Sequence, residues 1–326
     1  MFANRRLLED RTAEVEFYRK TLHGFRRGSL IFDIGANEGY KTDIFLRLGA
    51  KVVAVEPDEH NQKILKQNFL TYRLLKRPVT IVGKAVSDRS GAETMWIDEA
   101  GSAKNTLNRK WVETLRADSS RFGKSLEFGQ KKEVETITLE ELIRSQGLPF
   151  YVKIDVEGYE VAVLEGLKSP VPYVSFEVNL PEFKPEALHC IELLEGVAAQ
   201  GDFNYAPDCQ RGLTFERWLS KKAFVDVLND CHEPCIEVFW RAPVSAVPVA
   251  NRINVQVSEG SEIGGQRSAS SFVEPKARRE VRDQRLGGER SRRLIGLAII
   301  DTTLIGEPAR LATKVWTWRQ KLVERS

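Results

Sequence analysis

Apolar positions in this chain fall into two alternating patterns. Short continuous runs, the mark of strands buried on both faces, occur at Leu30–Ile34, Val52–Val55, Val79–Val82, Tyr151–Ile154, Val174–Val178, Phe203–Ala206 and Ile236–Trp240. Between them lie stretches with helical spacing. The first is 5–24, where Leu7, Leu8, Val15, Tyr18 and Leu22 recur. The others are Lys41–Leu48 (ended by Gly49), His60–Leu75, Thr138–Ser145, Glu160–Leu167, Ile191–Gln200 (ended by Gly201) and Ala223–Leu228. Thr138 followed by Glu141 forms a capping box. A turn at 87–91 leads into Thr94–Ile97, which reads as the return arm of a hairpin. Residues 98–130 are polar and predict a long loop with a short helical piece, a kind of segment that often carries function. Strands alternating with helices predict an α/β sheet covered on both faces, with its ligand at the carboxyl ends of the strands.

Four acidic residues fall at or near such ends: Asp33, Glu56, Asp155 and Glu177. The first belongs to Asp33-Ile34-Gly35-Ala36-Asn37-Glu38-Gly39, a glycine-spaced turn directly after a strand. Glu56, at the tip of the next strand, has the spacing used to bind ribose hydroxyls in a βαβ unit. Asp33 changes the identity of the ligand. A dinucleotide would set its pyrophosphate on this turn, and a carboxylate immediately before the turn repels it. A ligand bearing an ammonium group is attracted instead, and S-adenosylmethionine (SAM) combines that group with a ribose and no phosphate. The spacing of Gly35, Asn37 and Gly39 also departs from G-x-G-x-x-G. Asp33, Gly35, Asn37, Gly39 and Glu56 are therefore the expected cofactor-binding residues.

A second block reads Lys153-Ile154-Asp155-Val156-Glu157-Gly158-Tyr159-Glu160. With the turn at 33–39, Val55-Glu56-Pro57, Ala85-Val86-Ser87-Asp88, Thr136–Leu142 and Phe176-Glu177-Val178, the chain resembles the FkbM family of SAM-dependent methyltransferases over about 15–241. The resemblance implies a class I methyltransferase fold: a Rossmann-like, doubly wound, mostly parallel seven-stranded sheet with its last strand antiparallel. It also implies O-methylation of a hydroxyl on a sugar, glycolipid or polyketide-type acceptor. Ala85 and Asp88 join the cofactor-binding set on this basis. One departure stands out. Many such enzymes carry an acid after the third strand to contact adenine, and here Lys84 occupies that neighbourhood, leaving backbone contacts at 84–86 to serve.

A neutral hydroxyl is a poor nucleophile, so a base or a metal should assist its attack on the methyl group. Asp155 is the expected base and Glu177 the second candidate. Lys153 shares a strand face with Asp155 and is placed to hold a substrate oxygen or act on a nearby carboxyl. The plainer reading of all three is a salt bridge closing the sheet's end. Glu157 reads as the start of the following helix. Asn105-Thr106-Leu107 reads equally well as a pocket wall or an ordinary loop, and His23 and His60 read as surface residues. Cys231-His232-Glu233-Pro234-Cys235 lacks a second ligand pair at zinc-site spacing, so no metal is assigned.

The 326 residues carry a net charge of +3, too balanced to imply a nucleic-acid partner. The four cysteines do not make a disulfide framework, and 1–20 has no apolar core of a signal peptide, so a cytoplasmic location is expected. The division reads as a helical segment at 1–28, a SAM-binding domain at 29–242, a disordered basic linker at 243–293 and a short helical segment at 294–326. Leu311, Val315, Trp318 and Leu322 share one face of the last segment. Docking on the domain or on a second copy is its expected use, and contact with a membrane surface is the alternative. A nicotinamide-dependent oxidoreductase and a non-catalytic interaction module are the competing functions.

Overall fold

The computed structural model describes residues 2–74, 78–117 and 126–247. The chain opens with α1 (Phe2–Thr21), then β1 (Leu30–Ile34), α2 (Tyr40–Leu48), β2 (Lys51–Val55), α3 (Glu59–Asn68), α4 (Leu70–Leu74) and β3 (Val79–Val82). A smaller group follows: β4 (Ala85–Val86), β5 (Gly91–Ile97), α5 (Arg109–Ala117) and β6 (Gln130–Ile137). The rest is α6 (Leu139–Gln146), β7 (Tyr151–Ile154), α7 (Glu160–Glu165), β8 (Tyr173–Asn179), α8 (Lys184–Val197), β9 (Asp202–Ala206), β10 (Leu219–Ser220), α9 (Lys221–Asn229) and β11 (Cys235–Arg241).

The main sheet has eight strands in the order β10-β9-β11-β8-β7-β1-β2-β3, and a second sheet of three has the order β4-β6-β5. The chain moves outward from β1 to β2 and β3, then returns to place β7 on the other side of β1 in parallel. The carboxyl ends of β1 and β7 thus flank a topological switch point, where ligands of open α/β sheets bind. β11 runs antiparallel between β8 and β9. The eighth strand, beyond the expected seven, is the two-residue edge β10.

The central strands read as apolar runs because both faces are covered. Phe32, Ile34, Val152, Ile154 and Phe176 enter one core with α6–α9, and Ile31, Val52, Ala54 and Tyr151 enter the other with α1 and α2. Pairing aligns Asp33 with Lys153 and Lys153 with Ser175, so one polar row crosses β1, β7 and β8 on the α1 face. Thr138 caps α6 as expected, accepting from Glu141 N at 3.1 Å, while the Glu141 carboxylate pairs with Ser90 instead of closing the box.

Several expectations are corrected. β5 is not the return arm of a hairpin with β3; it pairs antiparallel with β6 in the small sheet. β6 itself lies partly in what read as loop and has no strand counterpart in the sequence pattern. Its first four residues, Gln130-Lys131-Lys132-Glu133, are polar on both faces, which masks the alternation. The helix expected over 60–75 breaks at Phe69 into α3 and α4, and residue 75 lies outside the described residues. α8 begins well before Ile191, with Pro185 in its first turn, where a missing N–H costs nothing. The ordered domain continues past Ala242: Val247 is buried and Ala246 N donates to Pro243 O at 2.9 Å. The remainder of the expected linker and the 294–326 segment lie outside the described residues. Among the described residues no helix is long and apolar enough to cross a membrane.

Candidate functional site

The turn after β1 is locked between neighbouring strand tips. Gly35 N and Ala36 N both donate to Val55 O at 3.0 Å, and Asp155 N donates to Ile34 O at 3.0 Å. Gly35 has φ +78, and a Cβ on it would lie 1.9 Å from Asp155 O, so only glycine fits. Asn37 is left-handed at φ 49, a conformation that asparagine tolerates better than most residues. Gly39, also left-handed, opens α2. Beneath the turn Asp33 is fully buried and accepts from Thr42 Oγ1 at 2.5 Å through Oδ2. Burial pushes its pKa up, and Lys153 and Thr42 pull it back. Among the described residues, Asp33 Oδ1 and Asn37 Oδ1 are buried without a hydrogen-bond partner.

Glu56 ends the neighbouring strand. Its Oε2 accepts from Asn37 N and its Oε1 from Asp58 N, each at 2.8 Å. Burial lifts its pKa to about 7 against those two amides. Asp58 in turn accepts from His60 N at 2.8 Å, capping α3. Its other oxygen accepts from Gly101 N at 3.1 Å and Asn105 Nδ2 at 2.9 Å. The far end of the same segment is tied to the tip of β7. Thr106 Oγ1 donates to Glu157 O at 2.8 Å, Asn108 Nδ2 donates to Gly158 O, and Lys104 Nζ lies 3.4 Å from Glu157 Oε1. Residues 98–108 are therefore a strap fastened across the site. A pocket lies under it, walled by Gly35, Asn37 and Glu56, by Lys84–Val86, by the strap, and by Asp155 and Glu157.

At the tip of β7, Lys153 Nζ donates to Asp155 Oδ2 at 2.8 Å. Burial opposes the charge on Lys153, but Asp155 and Asp33 outweigh it and raise its pKa. Glu157 does not begin a helix. It sits at φ 54, buried, and α7 starts only at Glu160. Carboxylate oxygens of Asp155, Glu157 and Glu177 lie within 4.8 Å of one another, a spacing compatible with a shared cation. Glu160 is buried behind this turn, accepting from Val156 N at 3.3 Å and Gly158 N at 3.2 Å, and burial lifts its pKa to about 8.

The structure thus brings Gly35, Asn37, Glu56, Ala85 and Asp155 to one pocket, with Asp33, Gly39, Lys153 and Glu177 directly behind or beside it. Asp88 stands apart: Ser87 Oγ donates to it at 3.0 Å, Arg89 lies 3.8 Å away, and it is no part of the wall. Asn105, Thr106 and Leu107 are wall residues. Sequence reasoning missed Glu157, Asp58, Lys104 and Asn61. The signal for Glu157 was its place before Gly158 in a turn. Lys104 and Asn61 gave no signal. Cys231, His232 and Cys235 form no metal-capable group among the described residues, and neither cysteine is in a disulfide. His23 and His60 are exposed, as expected.

Comparison with known proteins agrees with this arrangement. The methyltransferase FkbM domain matches residues 33–202. Among solved structures the chain is similar to a methyltransferase FkbM from Methylobacillus flagellatus KT, with 13% identity and a TM-score of 0.39. That similarity covers 66% of this chain but only 44% of the relative, so the chain spans less than half of that protein. A precorrin-6y C5,15-methyltransferase from Geobacter metallireducens GS-15 is similar at 10% identity and TM-score 0.36, covering 72% of this chain and 88% of that one. A SAM-dependent methyltransferase from Agrobacterium tumefaciens shares 10% identity at TM-score 0.36, covering 72% and 62% respectively. No curated protein matches the chain in sequence. The matched domain runs from the glycine turn through β7 and β8 to the start of β9, more than half of the sequence; with the expected class I methyltransferase sheet order, parallel about β1 and closed by an antiparallel β11, the chain belongs to the FkbM methyltransferase family.

Proposed function

We propose that this protein is a SAM-dependent O-methyltransferase acting on a hydroxyl of a sugar, glycolipid or polyketide-type small molecule. The observation that carries the cofactor is Asp33 Oδ1, a buried acceptor with no partner among the described residues, beneath a turn that leaves no room for a Cβ. Such an atom suits an ammonium group and disfavours a phosphate. Asn37 Oδ1, likewise without a partner, adds a second acceptor on the same turn. Glu56 faces the pocket as the ribose acceptor, since each of its oxygens retains a lone pair beyond the backbone amide it binds. SAM, when bound, supplies an electrophilic sulfonium methyl group.

The chain's own residues do the rest. Asp155, at the switch point and on the pocket wall, takes the proton from the acceptor hydroxyl. Lys153 fixes the Asp155 carboxylate from the sheet side and offers charge against developing negative charge on oxygen. Glu157 and Glu177 supply further acceptors for neighbouring hydroxyls of a polyol, which suits a sugar better than an apolar acceptor. The strap excludes water from the wall it covers. Calorimetric titration with SAM, with NAD as comparison, tests the cofactor. Transfer of labelled methyl from SAM onto small-molecule and glycan fractions of the native host tests the acceptor. Binding of NAD in place of SAM would overturn the first, and labelling confined to protein or nucleic acid the second.

A further inference from the structure

The pocket contains a polar side chain with no role in the reading above. Asn61, in the first turn of α3, is buried at 2% exposure and forms part of the pocket wall. Its Oδ1 has no hydrogen-bond partner among the described residues. A buried amide oxygen without a partner is costly to keep, and its natural remedy is a ligand donor.

Its position selects which part of the ligand. Asn61 shares that wall with Glu56, whose carboxylate serves the ribose. The same pocket wall carries Lys84, Ala85 and Val86, the stretch after β3. Lys84 cannot accept a hydrogen bond, and its ammonium is turned to Glu135 Oε2 at 2.9 Å. Asn105, the other carboxamide near this end, is already engaged: it donates to Asp58 and Glu99 O and accepts from Asp98 N. Asn61 is held in place rather than loose. Asp58 caps its helix, and Gly101 of the strap packs so closely that a Cβ there would lie 3.0 Å from Asn61 Oδ1. A carboxamide presents an acceptor beside a donor, and adenine presents an amine donor beside a ring-nitrogen acceptor, so the two match in pairs.

We propose that Asn61 reads the adenine ring of the cofactor, its amide accepting from the exocyclic amine and donating to the adjacent ring nitrogen. The inference rests on the SAM reading. It makes Asn61 the specificity-determining residue in place of the acid that Lys84 displaces.

The test is a binding ratio and needs no acceptor. Calorimetry would compare S-adenosylhomocysteine with its 6-deamino purine analogue, which keeps the ring nitrogens and lacks the amine. Wild-type protein should prefer the adenine form by about tenfold to a hundredfold. Asn61→Leu should bring the ratio near one, because it removes the acceptor for the amine and weakens both ligands alike at the ring nitrogen. Asn61→Ala serves as a second variant should the leucine fail to fold. Equal binding of both ligands by the wild type, or an unchanged ratio in either folded variant, overturns the inference and leaves the SAM reading standing. Binding of neither ligand by the wild type overturns both.

Discussion

The two sheets of this molecule divide its labour. The large sheet is buried on both faces, and its strand tips project Asp33, Glu56 and Asp155 into one place with little freedom. The small sheet is amphipathic, with β6 exposing Lys131, Glu133 and Glu135 on one face and β5 burying Met95 and Ile97. This sheet and the strap beyond it contribute no candidate base. They contribute cover: Met95, Ala103 and Leu107 on the wall, and polar ties to Asp58 and Glu157. Chemistry is anchored where packing over-determines geometry, and access is governed where a few hydrogen bonds decide it.

That contrast can be broken most severely at Asp155. Asp155→Asn keeps the shape and removes the base, so turnover should fall on the order of 10² to 10⁴, with cofactor affinity near wild type. Labelled-methyl transfer alongside calorimetry measures both, and near-normal turnover would assign Asp155 a structural role and move attention to Glu177. Next comes Gly35→Ala. The left-handed backbone and the overlap with Asp155 O should together cost about 3 kcal/mol or more of stability, read from denaturant midpoints. A loss under about 1 kcal/mol would show that the tips are less rigid than their hydrogen bonds imply.

Glu56→Gln should weaken SAM binding about tenfold to a hundredfold, and an unchanged affinity would remove Glu56 from the ribose site. The same variant carries a signed effect on stability. The folded state lifts Glu56 from 4.5 to about 7, so between those values it holds a proton that the unfolded chain has released. Stability should therefore fall as pH rises across that window, and the glutamine variant should flatten this part of the profile. The smallest effect belongs to the strap. Asn105→Ala removes one of the strap's two ties to Asp58, leaving that of Gly101 N, and should speed SAM dissociation about fivefold in stopped-flow release, with the melting temperature little changed. Equal off-rates would mean that Gly101 N and the Glu157 end hold the strap without Asn105.

The same division explains what the sequence disclosed. Strands of the large sheet were legible because burial on both faces leaves uninterrupted runs such as Leu30–Ile34 and Tyr151–Ile154. Their acidic tips were legible because a carboxylate after such a run has few uses. β6 was hidden because its buried residues, Val134 and Thr136, are separated by charge. Asp58, Lys104 and Asn61 were hidden for another reason. Each acquires its role from a segment distant in the chain: Asp58 from 101 and 105, Lys104 from 157, and Asn61 from the stretch after β3. Glu157 was misassigned because its left-handed backbone is a property of the turn and not of glutamate.

The half-titrated state of Glu56 near neutrality has a thermochemical consequence. Ribose hydroxyls donate hydrogen bonds and so bind the carboxylate, not the acid. Capturing the ligand at pH 7 must then expel a fraction of a proton into solution, about half per site with Glu56 at about 7. The heat of binding will include the heat of that proton's neutralisation by the buffer. Titrations in phosphate and in Tris should differ in apparent enthalpy while agreeing in affinity, and the proton release due to Glu56 should vanish above about pH 9, where its carboxyl has already ionised.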